Sequence, residues 1–282
     1  MRRLAPAALV LVAACTGGSG RAVATSTPTR VSEDAVQQQA DIAAGYVAWV
    51  RGQIASEVRL TRVLTDAVRA GDLGAARRAY PAARVNYERI EPVAESFGDL
   101  DTALDARRKD VLADARWTGY HRLEHALFAT RSLAGMREVA DRLDTDLARL
   151  STRAEDLALT APDLARGASE LLQEIGRTKV TGEEEAYSHV DLVDFQANLD
   201  GAREAFTRLQ PVVAAKDPSL AARVTAAFDD VQAGLTPFRT GTGPTAFRPY
   251  TAVTPAQRRD LSARLDALAE DVARLGAALV IS

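Results

Sequence analysis

The chain has 282 residues, a formal net charge of −3 and a single cysteine. One cysteine excludes a disulfide framework and a thiolate metal site. The slight acidic excess excludes the basic footprint of a nucleic-acid-binding protein, so we expect no nucleic acid among its partners.

The N-terminal 32 residues have the composition of a targeting segment and a tether. Two arginines precede a short apolar run in residues 1–14, which is typical of a secretory signal peptide and too short to span a bilayer. The sequence "LVAAC" resembles a bacterial lipobox, so Cys15 is predicted to be lipidated; the alternative is a chance or core cysteine. Residues 15–32 are rich in Gly, Ser and Thr, as in flexible tethers. We expect an extracytoplasmic protein whose N-terminal lipid anchors it to the cell membrane, on the periplasmic or outer face.

From residue 33 onward the sequence predicts only helices. Apolar residues recur at helical spacing, and no run alternates apolar and polar residues as a strand does. Turn residues separate eight predicted helices, near 33–70, 73–95, 115–131, 136–158, 162–178, 188–212, 217–237 and 254–279. Because the connections are short, neighbouring helices should be antiparallel. We predict an all-α fold of two four-helix bundles packed together, 33–158 and 159–282.

The segment "YERIEPVAESF" contains three glutamates at helical spacing. Glu88, Glu91 and Glu95 recur at i, i+3 and i+7, so their carboxylates share one helix face. A solvated acidic face is the simpler explanation of the pattern alone. Against it, Arg84 lies one turn before Glu88, and apolar residues supply a different face for burial.

The segment "LDTALDARR" contains two aspartates one helical turn apart. Asp101 and Asp105 precede Arg107 and Arg108. Taken alone, this pattern is best explained by helix capping and a surface ion pair.

The segment "TGYHRLEHALFA" holds two of the three histidines. His121 and Glu124 are spaced i, i+3 and can reach one point beside a helix, and His125 can join that face. Metal sites in helical bundles often pair Glu and His at this spacing with carboxylates of neighbouring helices. The pair is a weak signal by itself, but two acidic segments precede it.

The same residues offer an alternative, because "HRLEH" matches the H-x-x-E-H signature of inverted zincins. A zinc metallopeptidase would use Glu124 as general base and need a further glutamate ligand. Those enzymes have large mixed α/β domains, and Glu204, which could supply that ligand, lies in the other predicted bundle. A third hypothesis is a non-catalytic helical surface protein that binds a polymer or protein partner.

The segment 179–206 is unusually dense in polar residues. Glutamates 183–185 precede Ser188 and Asp191, which form a plausible capping box. Asp191, Asp194 and Asn198 then share one helix face. Such a segment suits an interdomain surface or the far wall of a cleft.

Together and in this order, the four segments resemble the imelysin-like domain of the EfeO/EfeM iron-uptake proteins, from about residue 33 onward. The resemblance implies a pair of helical bundles and an extracytoplasmic component that binds iron for a membrane permease and a haem peroxidase. It implies metal ligands in the following order: His121 and Glu124, then Glu88, Asp105, Glu91 and Asp101. Only a tether precedes the first predicted helix, so we expect the short, EfeM-like form without the cupredoxin domain of the longer EfeO form. A role in iron oxidation that relies on a second metal site is therefore in doubt.

The predicted ligands favour capture of a cation over catalysis. Carboxylates with one imidazole suit iron, ferrous or ferric, but also zinc, manganese or copper. The peptidase-like label of the family should not be inherited as an activity, so we expect no enzyme. Capture should weaken as the pH falls and the ligands become protonated.

Overall fold

The computed structural model describes residues 33–112 and 117–280. Within these ranges the chain is helical, and its only β-type pairing is an isolated bridge between Arg239 and Phe247. The prediction of an all-α fold is confirmed. The predicted signal peptide, Cys15 and the whole predicted tether lie outside the described residues. No helix in the described ranges combines the length and apolarity needed to cross a bilayer.

The described chain contains eleven α-helices: α1 (Glu33–Arg69), α2 (Leu73–Ala79), α3 (Val85–Ile90), α4 (Asp99–Asp105), α5 (Gly119–Glu124), α6 (Met136–Glu155), α7 (Ala161–Thr178), α8 (Asp191–Lys216), α9 (Pro218–Leu235), α10 (Pro255–Val272) and α11 (Leu275–Ala278). Short 3₁₀ segments cover Glu91–Phe97, Arg108–Asp110, Thr236–Phe238 and Tyr250–Ala252. A π-helical segment, His125–Thr130, continues α5.

Most predicted helices are confirmed within a few residues, but the prediction of one helix over 73–95 is wrong. The chain leaves α2 at Pro81 and passes into 3₁₀ geometry at Pro92. Each proline lacks the N–H of a helical hydrogen bond, and its ring clashes with the carbonyl four residues earlier. The short helix α4 was not predicted. Because of these interruptions, the acidic segment enters the interior of the protein and does not follow its surface.

Two glycines allow the acidic segment to lie unusually close to its neighbours. A Cβ atom on Gly201 of α8 would lie 2.0 Å from the carbonyl oxygen of Arg89, and one on Gly167 of α7 would lie 1.9 Å from that of Pro92. Only glycine permits such backbone contact. The segment 85–97 is therefore held between α7 and α8, with the side chains of Glu88 and Ile90 fully buried.

Helix α8 is the central element of the fold. It packs against α1 and α3 from the first half of the chain and against α7 and α9 from the second. A helix buried on so many sides lacks the single apolar stripe of a surface helix. The described residues belong to one compact unit with a hydrophobic core that runs through both halves. The division into two bundles near residue 159, in the turn between α6 and α7, stays a prediction.

Candidate metal centre

His121 lies on α5, whose first residue contacts the end of α4. Gly119 has a φ of +81°, and a Cβ atom there would lie 2.1 Å from the carbonyl oxygen of Leu104. Any other residue would push the two helices apart. This contact brings Asp105, the last residue of α4, within reach of the imidazole of His121, which is only 1% exposed.

The Nδ1 side of His121, here called the closed side, is fully hydrogen-bonded. Nδ1 lies 3.2 Å from Oε2 of Glu124, to which it can donate. The other oxygen of Glu124 accepts from the backbone N–H groups of Tyr187 at 2.8 Å and Ser188 at 2.7 Å. Both oxygens of the buried Glu124 therefore have partners, and the imidazole ring is held in one orientation.

The Nε2 side of His121, here called the open side, faces two carboxylates without bonding to either. Nε2 lies 3.6 Å from Oδ1 of Asp105 and 3.8 Å from Oε1 of Glu184. Within the described ranges this buried nitrogen has no hydrogen-bond partner. Atoms that share a metal ion at about 2.1 Å each lie roughly 3–4 Å apart. The open side therefore has the spacing of a cation site.

The loop between α7 and α8 supplies residues to both sides. Oε1 of Glu185 lies 2.8 Å from Nε of Arg84 and accepts from the hydroxyl of Tyr80 at 3.0 Å. The hydroxyl of Ser188 donates to Glu185, and the backbone N–H of Ser188 donates to Glu124. The predicted capping box of Ser188 and Asp191 is therefore wrong: α8 begins without a side-chain cap because both groups of Ser188 are used in the loop.

Tyr250 forms hydrogen bonds with both ends of this loop. Its backbone N–H donates to the carbonyl of His189 at 2.8 Å, and its hydroxyl donates to the carbonyl of Val180. The ring lies against Gly182, where a Cβ atom would approach it to 2.5 Å. One tyrosine thus joins both ends of the loop that carries Glu184 and Glu185.

A fully buried guanidinium, that of Arg84, stands behind the site. It forms ion pairs with four carboxylates, those of Glu88, Asp105, Glu185 and Asp194. Glu88, the first completing ligand predicted, also pairs with Lys179 and accepts from the amide of Asn198. Burial would raise the pKa of Glu88, but Lys179 and Arg84 outweigh it and lower the pKa. Glu88 is thus already neutralised by two fixed cations.

Glu91 and Asp101, the remaining predicted acidic ligands, have partners other than the imidazole. Glu88, Glu91 and Asp105 form a second group whose oxygens lie within 4.8 Å of one another, so Asp105 is shared between this group and the open side. Glu91 lies 3.5 Å from the ammonium of Lys179. Asp101 instead accepts from the hydroxyl of Tyr87 at 2.6 Å.

Two cavities meet at the open side. The larger, about 310 Å³, is an acidic cleft lined by Glu91, Asp101, Asp105 and Glu174 among others. The smaller, about 250 Å³, is lined by His121, Glu124 and Tyr187. Arg107 and Glu184 line both cavities and so lie in the wall between them.

The charges of the site favour a cation. Burial and Arg84 oppose an imidazolium, but Asp105, Glu124 and Glu184 outweigh them and hold the pKa of His121 well above its usual value. Burial also opposes ionisation of Glu184, yet Lys179, His121 and Arg107 hold its pKa well below the usual range. Burial opposes the ionisation of Glu124 as well. Hydrogen bonds from His121 and from the two backbone N–H groups outweigh burial and lower the pKa of Glu124. Both glutamates are therefore carboxylates at neutral pH.

The second histidine of "HRLEH" lies elsewhere. The ring of His125 packs 4.9 Å from that of Tyr187 and 5.6 Å from that of Trp117. None of the potential ligand groups found in the described ranges includes His125. Glu204, the remaining zincin candidate, pairs with Arg208 at 2.7 Å. Among the described residues, the geometry thus brings together no zincin-type ligand set at this motif.

Sequence reasoning missed Glu184 as a neighbour of His121 and missed the contacts of Arg107 and Lys179. The run "GEEE" was a visible signal, but it does not say which of the three glutamates are buried. Glu183 is exposed, whereas Glu184 and Glu185 are buried. A lysine and an arginine near acidic segments are too common to indicate burial.

The chain is similar to known proteins over most of its length. The family model described as Imelysin matches residues 42–275. The "Iron uptake system component EfeO" of Escherichia coli O157:H7 is 41% identical over 250 residues, which cover 86% of this chain and 66% of the relative. The proteins of the same description from E. coli K12 and Shigella flexneri are 40% identical over the same coverage. The chain thus spans about two thirds of the length of these relatives.

Proposed function

Since the chain belongs to the imelysin family, we propose that it is the extracytoplasmic iron-binding component of an EfeO-type uptake system. It captures the cation, ferrous or ferric, and delivers it to a membrane permease. The description of its relatives as iron uptake components indicates a non-enzymatic role, despite the family's peptidase label.

The observation that carries this proposal is the open side of His121. A buried imidazole nitrogen without a hydrogen-bond partner in the described ranges faces Asp105 and Glu184 at 3.6 and 3.8 Å. We propose that the cation binds there, between one nitrogen and two oxygens. Such a donor set suits iron and also accepts zinc, manganese or copper.

Glu124 has a distinct role in this proposal. Metal-binding histidines commonly donate their second ring N–H to a carboxylate, which fixes the tautomer and the ring orientation. Glu124 accepts at that position, at 3.2 Å from Nδ1. Direct ligation by Glu124 stays a prediction, because Glu124, His121 and Glu185 form another group of close ligand atoms.

The acidic cleft supplies the route of capture. Carboxylates line it with few cations among them, and a cleft of one sign of charge raises the local concentration of the opposite ion. Glu91 and Asp101 line this cleft and, together with Glu88 behind it, complete the predicted set of acidic residues around the site.

Iron titration of the purified protein tests the proposal. Calorimetry with ferrous iron under anaerobic conditions, ferric iron, zinc and copper should give binding that His121→Ala weakens by more than roughly 100-fold, beyond the effect of an outer-sphere change. His189→Asn is the matched control, since asparagine tolerates the positive φ of 60° at that position. Iron binding by His121→Ala equal to that of the wild type contradicts the site. Peptide cleavage that Glu124→Ala abolishes would favour the peptidase instead.

The cellular part of the proposal concerns anchoring and partners. Lipidation at Cys15 would hold the protein at the membrane, next to a permease and a haem peroxidase of the same system. Metabolic labelling with an alkyne fatty acid should mark the wild type and not Cys15→Ser, and the variant should leave the membrane fraction. Equal labelling of both proteins would contradict the anchor.

A further inference from the structure

We infer that Arg107 competes with the captured cation for Glu184 and thereby sets the affinity and the release rate of the site. This inference rests on the proposed function. It assigns a role to a residue outside the predicted ligand set, at the wall between the two cavities.

The geometry places Glu184 between two cationic positions. Its Oε2 pairs with Nη1 of Arg107 at 2.5 Å, while its Oε1 faces Nε2 of His121 at 3.8 Å. The Glu184 side chain is 5% exposed and the Arg107 side chain 20%. An ion pair this sheltered from water is screened far less than a surface pair. Arg107 therefore forms an ion pair with the same carboxylate that binds the cation in this proposal.

Arg107 is tied to the segment that carries the other proposed oxygen ligand. It follows Asp105 by two residues, just after α4 ends. A short turn steadies it, because Nε of Arg107 donates to Asp110 at 2.9 Å. Its guanidinium is thus presented to Glu184 by the same chain segment that presents Asp105 to His121.

The two arginines of the site differ in whether a cation could displace them. Arg84 is fully buried and pairs with four carboxylates, so no movement would leave it solvated. Arg107 borders both cavities, keeps contact with water and has Asp110 as a second partner. Only Arg107 can give up its pair at modest cost.

A cation on Glu184 and the guanidinium of Arg107 repel each other, since an arginine stays charged at any relevant pH. Each weakens the attachment of the other by the same free energy, as linkage requires. Arg107 therefore keeps the site weaker than its ligands alone would make it, which favours release to an acceptor.

The test is cation binding by Arg107→Gln, with Zn²⁺ as a redox-inert probe and Fe²⁺ under anaerobic conditions. We expect affinity to rise by about 5- to 20-fold, within the usual range of coupling between sites, and dissociation into a chelator in stopped flow to slow by a similar factor. Lys109→Gln is the matched control, because it removes the same charge from an exposed pair with Glu183 at 3.1 Å. We expect the control to change affinity by less than about 2-fold.

A double variant separates competition from general electrostatics. In a Glu184→Gln background, Arg107→Gln should change the affinity no further, because the shared carboxylate is gone. Arg107→Lys, which keeps the charge, should bind nearly as the wild type does. Equal effects of Arg107→Gln and Lys109→Gln, or weaker binding by folded Arg107→Gln, would overturn the inference. Failure of the proposed function looks different, since His121→Ala would then bind as the wild type does.

Discussion

The two nitrogen atoms of His121 have opposite surroundings within one ring. On the closed side, Nδ1 meets Glu124, whose oxygens are both hydrogen-bonded. On the open side, Nε2 meets Asp105 and Glu184 at distances too long for hydrogen bonds. The closed side is complete without a cation, whereas the open side gains its partner only when a cation arrives. The contrast separates residues that orient the imidazole from residues that bind the cation.

Among changes to the carboxylates around His121, the largest effect should come from neutralising one on the open side. Glu184→Gln replaces a buried carboxylate by a neutral amide and should weaken zinc or iron binding roughly 100-fold, more than an orienting residue would. Glu183→Gln, one residue away and exposed, is the matched control. Calorimetry with both variants measures the difference. Equal affinities of the two variants would contradict the assignment of the open side.

A smaller effect should come from the closed side. In Glu124→Gln the amide oxygen can accept from Tyr187 and Ser188, which leaves the amide N–H₂ to face Nδ1. Nδ1 must then accept, so the ring proton moves to Nε2 and blocks the open side. We expect binding about 10- to 100-fold weaker, the range for outer-sphere partners.

The nitrogen chemical shifts of His121 in metal-free protein should report this tautomer change at a pH where the ring is neutral. Unchanged tautomers would contradict the orienting role. A larger loss of affinity in Glu124→Gln than in Glu184→Gln would show instead that Glu124 is itself a ligand, as the H-x-x-E motif predicts.

The pH should change the cation affinity through the imidazole nitrogen on the open side. The pKa of His121 is held well above its usual value by Asp105, Glu124 and Glu184 against burial and Arg84, so near neutral pH a proton occupies the imidazole. A cation at Nε2 must displace that proton, so affinity should rise with pH, by up to about tenfold per unit below the pKa. Calorimetry in buffers of different ionisation enthalpy should detect about one proton released per ion. A flat profile in both the wild type and His189→Asn would contradict binding at Nε2.

The smallest effect on cation affinity concerns a buried carboxyl outside the site. Glu57 faces the hydroxyl of Tyr120 and the N–H of Tyr87, and burial raises its pKa to about 8. The folded protein therefore binds a proton that the unfolded chain releases between about pH 4.5 and 8, and stability falls as the pH rises through that window. Glu57→Gln should remove this pH-dependent loss of stability, which is on the order of 5 kcal/mol across the window and is measured by urea unfolding at several pH values.

Cation affinity should be nearly unchanged in Glu57→Gln, because Glu57 lies outside the metal site. The variant therefore separates an effect on stability from an effect on cation binding. The control is Glu138→Gln, on an exposed glutamate of α6, which should keep the pH dependence of the wild type. Parallel stability profiles of wild type and Glu57→Gln would contradict the neutral state of Glu57.

Local patterns in the sequence predicted most of the fold. Helical spacing of apolar residues and the turn residues between them located the long helices within a few residues; at the start of α7 the structure adds a capping box of Thr160 and Asp163. The prediction was wrong over 73–95, where Pro81 and Pro92 interrupt the helix. A periodic pattern reports which residues face inward, and a proline decides whether the helix can continue.

The sequence by itself also placed His121 and Glu124 side by side, because an i, i+3 pair depends only on the geometry of one helical turn. The tertiary structure alone decided what faces Nε2. Asp105 reaches it because Gly119 lets α5 touch the end of α4. Glu184 reaches it because the loop held by Tyr250 buries two of three neighbouring glutamates, and Glu184 is the one that faces Nε2. Contacts between segments far apart in the chain depend on how whole helices pack, and no local spacing records that packing.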